Sequence, residues 1–222
     1  MLVTGGGSGL GAGIARRFLK KGARVTICGR REDKLLSVAK SLGENCFAKA
    51  GDITLENDRT EIIQAALSHG AKLDVLVNNA GNIYRGDIDQ LEQKPLVEIF
   101  NTNVIAGMLL SGKAKKELGK TQGSILFIGS VHTRRAFPGA SAYAATKGAI
   151  EAITKALAAE LGPAKIRVNC LVPGAVPTEI YQRAGLMTEE ESRTRLESLA
   201  PAHALGRIGT EEEIAEAAEY LS

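Results

Sequence analysis

Tyr143 and Lys147 have the types and the spacing of a proton-transferring pair. They lie four residues apart, so in a helix they share one face, one turn from each other. A free phenol has a pKa of about 10, and a neighbouring ammonium lowers that pKa because its positive charge favours tyrosinate. The pair can therefore act as a general base towards an alcohol or as a general acid towards a ketone. The same spacing also fits a surface tyrosine packed along a lysine stem.

Ser130 stands thirteen residues before Tyr143, at the end of the strand-like run Phe127-Ile128-Gly129-Ser130. A hydroxyl at this place can hydrogen-bond the reacting oxygen and hold it near the phenol. Alone, such a serine could simply cap the loop. Together with the tyrosine–lysine pair it predicts a catalytic site at the carboxyl edge of a sheet, where open α/β sheets bind their ligands.

The first eleven residues predict a dinucleotide-binding turn. A short apolar run ends at Thr4, five of the next seven residues are glycine, and an amphipathic helix follows. Glycine permits a tight turn and a close approach to a pyrophosphate, and the helix N-terminus offers free N–H groups and the positive end of its dipole. Gly7-x-Gly9-x-x-Ala12 matches the general fingerprint. Thr4-Gly5-x-x-x-Gly9-x-Gly11 is preferred because it places the turn directly after the strand.

Length and composition indicate one soluble globular domain. The 222 residues are 44% hydrophobic and 24% charged, with a formal charge of +3 and basic residues spread along the chain. Because the basic residues are spread along the chain, nucleic acid is not expected as a partner. No apolar run approaches the roughly 20 residues that span a bilayer, so a membrane is not expected either. Cys28, Cys46 and Cys170 lack the spacing of metal ligands. We therefore expect reduced thiols, no metal site and a cytoplasmic location.

Apolar strand-like runs alternate with helical patterns along the whole chain. The predicted strands are residues 2–4, 24–28, 46–49, 73–78, 124–128 and 167–172. The predicted helices are residues 10–21, 32–42, 55–69, 96–118, 141–161, 189–199 and 211–221. This alternation predicts an α/β fold with a doubly wound parallel sheet, in a single domain over residues 1–222. Thr188-x-x-Glu191 and Thr210-x-x-Glu213 have the pattern of capping boxes.

These motifs resemble those of the short-chain dehydrogenase/reductase family, of the type with TGxxxGxG and YxxxK motifs, over essentially the whole chain. The motifs that carry the resemblance are residues 4–11, residues 78–81, Asn103, Ser130, Tyr143-x-x-x-Lys147 and Pro173-Gly174. The resemblance implies that Ser130 positions the substrate and that Tyr143 exchanges the proton. It also implies that Lys147 lowers the tyrosine pKa and binds the nicotinamide ribose. Asn103, or Asn101 if the register is shifted, would hold a water of the proton relay.

A nicotinamide cofactor, NADP or NAD, follows from the same resemblance. The residues expected to bind it are Thr4, Gly5, Gly7, Ser8, Gly9, Leu10, Gly11, Arg30, Arg31, Asp52, Ile53, Asn79, Ala80, Gly81, Tyr143, Lys147, Pro173, Gly174, Val176 and Thr178. Within this set, Asp52 would contact the adenine. The Val176 backbone and the Thr178 hydroxyl would contact the nicotinamide carboxamide.

The end of the second predicted strand favours NADP over NAD. An acidic residue there would accept a hydrogen bond from the ribose 2′-hydroxyl of NAD, but Cys28 is followed by Gly29, Arg30 and Arg31. Arginine suits a 2′-phosphate by its charge and by its bidentate geometry. Alternatively, both arginines are solvated and merely precede the next helix.

The loops of the predicted pocket, including a substrate loop at about residues 175–209, indicate a polar substrate. They carry a basic and polar set of side chains: Arg85, His132, Arg134, Arg135, Tyr181 and Arg183. Because arginine pairs with oxygen-rich groups, we expect an NAD(P)-dependent oxidoreductase for a polar ketone or secondary alcohol, such as a sugar or sugar acid. A 3-oxoacyl thioester (acyl-carrier-protein) reductase and a nucleotide-binding protein without turnover are the alternatives. Sugar nucleotide epimerisation fits the glycine spacing less well.

Both ends of the chain differ from the family pattern. The first strand is one or two residues short, and the chain stops in the helix that precedes the family's last edge strand. The predicted strand at residues 167–172 would then be an unprotected sheet edge. Family members assemble through that missing strand and through helices corresponding to residues 96–118 and 141–161, so we expect a homodimer or a homotetramer.

Overall fold

The computed structural model describes residues 1–222 and contains one six-stranded sheet in which all neighbouring strands are parallel. The strands are β1 (Leu2–Thr4), β2 (Val25–Gly29), β3 (Cys46–Ala50), β4 (Val75–Asn78), β5 (Ser124–Ile128) and β6 (Arg167–Leu171). Their spatial order is β3-β2-β1-β4-β5-β6. The direction of winding reverses between β1 and β4, which confirms the predicted doubly wound α/β fold and opens a crevice at the carboxyl ends of these strands.

Nine α-helices accompany the sheet. They are α1 (Gly9–Lys20), α2 (Glu32–Leu42), α3 (Glu56–Gly70), α4 (Gln93–Phe100), α5 (Ala106–Thr121), α6 (Ser141–Leu161), α7 (Ile180–Arg183), α8 (Glu189–Leu199) and α9 (Glu211–Leu221). The predicted capping boxes begin α8 and α9. The predicted helix at residues 96–118 is wrong in detail, because it starts at Gln93 and a π-helical turn, Asn101–Ile105, separates α4 from α5. The short helix α7 was not predicted.

Successive strand residues alternate between two hydrophobic cores. Leu2 and Leu76 point into the core covered by α3, α5 and α6. Val3 and Val77 point into the core covered by α1, α2 and α9. All four side chains are fully buried. Because helices cover both faces, the carboxyl edge of the sheet remains the place where strand-end side chains can meet a ligand.

The edge strand β6 lies beside the end of α9. Asn169 Nδ2 donates to the Leu221 carbonyl at 2.8 Å, and Arg167 Nη1 donates to the same carbonyl at 3.0 Å. These bonds hold the end of α9 against β6. None of the nine helices has the length together with the hydropathy that a membrane span requires.

Candidate active site

Thr4 joins the ends of β1 and β4 beneath the crevice. Its hydroxyl donates to the Val77 carbonyl at 3.2 Å and accepts from the backbone N–H groups of Asn79 at 3.0 Å and Ala80 at 2.9 Å. The Asn79 side-chain amide donates to the Thr4 carbonyl at 2.8 Å. Thr4 is fully buried, so it positions the predicted cofactor loop from behind.

The glycine turn after β1 leaves no room for a side chain at Gly6 or Gly11. Gly5 has a φ of +65°, a left-handed conformation that glycine adopts without strain. A Cβ on Gly6 would lie 2.6 Å from Ile27, and a Cβ on Gly11 would lie 2.4 Å from the Gly5 carbonyl oxygen. The turn therefore presents bare backbone at the start of α1, a shape that fits a dinucleotide pyrophosphate.

Two connected cavities open above this turn. The larger has a volume of about 410 Å³ and is lined by both the glycine turn and Tyr143, and the smaller, of about 310 Å³, lies at the end of β2. Thr4 and Gly11 lie behind the cleft. The other residues predicted at the cofactor line one cavity or both: Gly5, Gly7, Ser8, Gly9, Leu10, Arg30, Arg31, Asp52, Ile53, Asn79, Ala80, Gly81, Tyr143, Lys147, Pro173, Gly174, Val176 and Thr178.

Ser130, Tyr143 and Lys147 converge in the larger cavity. β5 ends two residues before Ser130, and Tyr143 and Lys147 lie in the first two turns of α6. The Ser130 side chain lies close enough to the Tyr143 phenol to lower the pKa of that phenol. The Lys147 ammonium lies 5.5 Å from the centre of the Tyr143 ring. All three residues are more than nine-tenths buried.

Burial dominates the acidity of Tyr143. It raises the pKa of the phenol to about 12, and the nearby Ser130 side chain opposes the rise. In this structure burial dominates the pKa of Tyr143, contrary to the lowered pKa expected from the sequence. The Lys147 ammonium donates to the Ile128 carbonyl at 2.7 Å. Burial also lowers the pKa of Lys147 to about 8. At neutral pH the site therefore holds a neutral phenol beside a largely protonated lysine.

Asn103 lies in the π-helical turn between α4 and α5. Its side-chain oxygen accepts from the Asn82 N–H at 2.8 Å, and its amide donates to the Asn82 carbonyl at 2.9 Å and to the Thr146 hydroxyl at 3.1 Å. Asn103, and not the alternative Asn101, thus connects the loop after β4 to the helix that carries Tyr143. π-helical turns are frequent at functional sites, but Asn103 lines neither cavity.

Three arginines line the smaller cavity: Arg30, Arg31 and Arg183. Arg31 Nη2 lies 3.2 Å from the Ser8 hydroxyl and 3.4 Å from the Glu179 carboxylate. Arg183 extends from α7 across the crevice and donates to the Gly81 carbonyl at 3.2 Å. Burial lowers the pKa of the Arg183 guanidinium, and the positive charge of Arg31 adds to this effect. The cavity therefore concentrates positive charge where the sequence predicts a 2′-phosphate.

The loops after β3 and β6 complete the cleft. Asp52 accepts at one carboxylate oxygen from the Thr54 N–H at 2.9 Å and from the Thr54 hydroxyl at 2.8 Å. His203 Nε2 accepts from the Ala175 N–H at 3.2 Å, and its Nδ1 lies 2.9 Å from the carbonyl oxygen that ends α8. A Cβ on Gly174 would lie 2.9 Å from the His203 ring. His203, which the sequence analysis did not single out, thus holds the loop after β6 against the end of α8.

His132 is the polar neighbour of Ser130. Its Nδ1 lies 3.0 Å from the Ser130 Oγ, to which its backbone N–H also donates at 3.3 Å. The ring packs edge-on against the Tyr143 ring, with the centroids 5.0 Å apart. Burial, together with the charges of Arg85 and Arg195, lowers the pKa of His132 to about 4. The imidazole is therefore neutral at physiological pH.

Comparison with known proteins identifies the family. A family model described as short chain dehydrogenase matches residues 1–188. The chain belongs to the short-chain dehydrogenase/reductase family. L-fucose dehydrogenase from Bos taurus is 33% identical over 100% of this chain and 82% of its own length. A 3-ketoacyl-(acyl-carrier-protein) reductase from Brucella melitensis complexed with NADH superposes with a TM-score of 0.88 at 35% identity, covering 99% of this chain and 88% of that one. Actinorhodin polyketide ketoreductase with NADPH gives a TM-score of 0.87 at 31% identity, with the same coverage of both chains.

This short-chain dehydrogenase/reductase is accordingly an NAD(P)-dependent oxidoreductase. Only some of the basic and polar side chains predicted at its substrate pocket line the larger cavity. Arg134 pairs with Glu151 at 2.8 Å and Arg85 donates to the Pro138 carbonyl at 2.6 Å, and neither lines the larger cavity. The side chains that do line it are His132, Arg135, Tyr181 and Arg183.

The sequence analysis of this dehydrogenase/reductase missed Arg195, which also lines the larger cavity. A signal was present, because the residues that α8 contributes to the cavity follow helical spacing: Ser192, Arg195, Leu196 and Leu199. On this face of α8 the other residues are apolar or small, so the face is expected to be buried and the Arg195 charge to lie inside the protein.

Proposed function

We propose that this enzyme interconverts a secondary alcohol and a ketone on a polar small molecule, such as a sugar or a sugar acid. The observation that carries the proposal is the meeting of the Ser130 side chain and the Tyr143 phenol at a cavity of about 410 Å³ that also reaches the glycine turn. Such a volume is within the range of small-molecule sites. The glycine turn would anchor the cofactor at the other end of the same cleft.

Each side chain has a role in this reaction. A nicotinamide held at this cleft would supply the hydride chemistry, with transfer from the alcohol carbon during oxidation and to the ketone carbon during reduction. Tyr143 takes the hydroxyl proton during oxidation and gives it back during reduction, while Ser130 hydrogen-bonds the reacting oxygen. The protonated Lys147 stabilises the phenolate that reduction produces and that oxidation consumes, and family resemblance adds ribose binding to its role. By the same resemblance, Asn103 holds a water of the proton relay.

NADP is the proposed cofactor, in preference to NAD. β2 ends without a carboxylate, and three guanidinium groups surround the cavity at its end: Arg30, Arg31 and Arg183. Two carboxylates lie near them: Asp52, which lines the same cavity, and Glu179, which is paired with Arg31 at 3.4 Å. The excess positive charge suits the 2′-phosphate of NADP.

The relatives support two substrate classes. L-fucose dehydrogenase is named for a sugar, and the hydroxyls of a sugar can pair with the arginines and His132 that line the cavity. The Brucella melitensis relative is named as a 3-ketoacyl-(acyl-carrier-protein) reductase, so a 3-oxoacyl thioester is the second candidate. The cationic lining favours the first class, because an acyl chain needs no such charge.

A homodimer or homotetramer is the proposed assembly, and the cytoplasm is the proposed location. Val97, Ile105 and Leu109 are exposed on one continuous helical segment, with exposures of 59%, 45% and 47%. Pairing through this segment would remove apolar surface from water. The three cysteines are unpaired thiols, which suits a reducing compartment. Light scattering after size exclusion measures the assembly directly.

Substrate oxidation and reduction, followed by nicotinamide absorbance, test the proposed function. Sugars, sugar acids and a short 3-oxoacyl thioester form the panel. Tyr143→Phe should lower kcat by about 100- to 10,000-fold and leave the cofactor Kd nearly unchanged. Activity on the thioester alone would replace the sugar class by the second candidate. Cofactor binding without hydride transfer on any member would favour a nucleotide-binding protein without turnover.

A further inference from the structure

The larger cavity carries more positive charge than cofactor binding uses. Its charged lining consists of Lys147, Arg135, Arg183, Arg195 and Glu179. The only carboxylate of this set is already paired with Arg31. Lys147 and Arg183 face the cofactor side of the cleft in the proposed function. Arg135 and Arg195 therefore remain at the end of the cavity where the substrate would bind.

Arg195 is the cation of this cavity whose charged group has no hydrogen-bond or ion-pair partner. The other cations each donate to a backbone carbonyl: Lys147 to Ile128, Arg135 to Ala202 and Arg183 to Gly81. The Arg195 guanidinium takes part in no hydrogen bond or ion pair within the protein, and its Nε is buried. Its guanidinium carbon lies 5.4 Å from the centre of the Tyr181 ring, which orients the planar group. Buried donors are nearly always paired in folded proteins, so this guanidinium is available for a ligand.

His132 supplies a second group without a partner. Its Nδ1 is engaged by the Ser130 hydroxyl, whereas its Nε2 is buried and has no hydrogen-bond partner. Arg195 lies near enough for its charge to help lower the pKa of this imidazole. Both groups line the larger cavity, His132 beside Ser130 and Tyr143 and Arg195 beside Tyr181.

We propose that Arg195 and His132 form a substrate subsite for a hydroxy acid, with the carboxylate on Arg195 and a neighbouring hydroxyl on Nε2 of His132. Arginine matches a carboxylate because its planar edge offers two parallel donors. The neutral imidazole pairs with a hydroxyl in either tautomer, since a hydroxyl both donates and accepts. This assignment rests on the proposed alcohol–ketone function and narrows its substrate to carboxylates of the sugar-acid type.

Matched pairs of a sugar acid and its amide test the subsite, with D-gluconate and D-gluconamide as the first pair and further aldonates beside them. Binding to the NADP-loaded enzyme is measured by calorimetry and turnover by nicotinamide absorbance. The wild-type enzyme should prefer the acids. Arg195→Gln should raise KM and Kd for the acids by roughly 10- to 100-fold, leave kcat within about threefold, and leave the amides unchanged. Arg195→Lys keeps the charge and loses the bidentate edge, so its KM and Kd for the acids should lie between those of the wild type and of Arg195→Gln.

Arg193→Gln is the control, because Arg193 lies on the same helix with 71% of its side chain exposed and pairs with Glu197 at 4.0 Å. It should behave as wild type, and thermal denaturation of both variants checks the fold. Equal binding of acids and amides by the wild-type enzyme, or an unchanged preference in Arg195→Gln, overturns the subsite. Selective acid binding without turnover supports the subsite and counts against the proposed function, so the two failures are distinguishable.

Discussion

The Ser130 Oγ lies 3.0 Å from Nδ1 of His132 and also accepts the His132 backbone N–H at 3.3 Å. One residue therefore holds the serine hydroxyl from two directions, at the point where it meets the Tyr143 phenol. This arrangement makes His132 a positioning residue for the proton-transfer pair. Its ring stays neutral, because burial lowers its pKa to about 4.

His132→Phe should lower kcat by roughly tenfold on every substrate, which corresponds to about 1.4 kcal/mol for one lost hydrogen bond. His132→Asn should restore part of kcat, because its side-chain oxygen can take the place of Nδ1. The cofactor Kd should not change in either variant. The pH profiles of wild type and His132→Phe should run parallel above pH 5, since His132 titrates near pH 4. A loss of a kinetic pKa between pH 6 and 7 in the variant would contradict this role.

The three arginines of the smaller cavity should discriminate between the two cofactors. Alanine variants of Arg30, Arg31 and Arg183 should each raise the Kd of NADPH by about tenfold or more, because a charge-assisted hydrogen bond to the 2′-phosphate is lost. The Kd of NADH should change by no more than about threefold. Fluorescence titration of the nicotinamide measures both constants, with Arg193→Ala as the control. Equal losses for the two cofactors would argue against the NADP assignment.

Lys147 should make stability depend on pH in a defined direction. Burial lowers its pKa from 10.5 in the unfolded chain to about 8 in the fold. Between these values the unfolded state binds one more proton, so the free energy of unfolding rises with pH by up to about 1.4 kcal/mol per unit. The wild type should therefore gain stability over Lys147→Met from pH 8 to pH 10.5, and the difference should be flat below pH 7.

Urea denaturation of both proteins measures this difference. The comparison is needed because Tyr143, Cys28 and Cys46 have raised pKa values, which lower stability as pH rises through the same alkaline range in both proteins. A constant difference across the whole range would show that the Lys147 ammonium is not destabilised by burial.

Gly11→Ala should weaken the glycine turn. Its Cβ would lie 2.4 Å from the Gly5 carbonyl oxygen and 2.6 Å from the Asn79 amide nitrogen. Backbone must shift to relieve this contact, at a cost of about 1–3 kcal/mol, and we expect at least a tenfold rise in the cofactor Kd. Gly70→Ala at the end of α3 is the control, because its Cβ would meet nothing within 4 Å. Thermal denaturation and cofactor titration measure both effects; a Gly11→Ala protein that binds like wild type would show that the turn is tolerant.

The sequence is sufficient for the fold class and for the places of the catalytic side chains. Parallel strands end at one edge of the sheet, so Ser130 after β5 and the glycine turn after β1 must meet there whatever the details of packing. Tyr143 and Lys147 share a helix face through their spacing alone. The helix starts at Thr188 and Thr210 could also be predicted from the sequence, because each capping box is formed within four consecutive residues.

Only the tertiary structure decides which charges are free and how acidic each group is. Arg134 is neutralised by Glu151, seventeen residues away in the chain, while Arg195 is left unpartnered in the cavity. The Lys147 ammonium donates to a backbone carbonyl of β5, and the buried Tyr143 becomes less acidic rather than more. Desolvation and pairing depend on atoms brought together from distant parts of the chain, and the local sequence around a residue does not contain them.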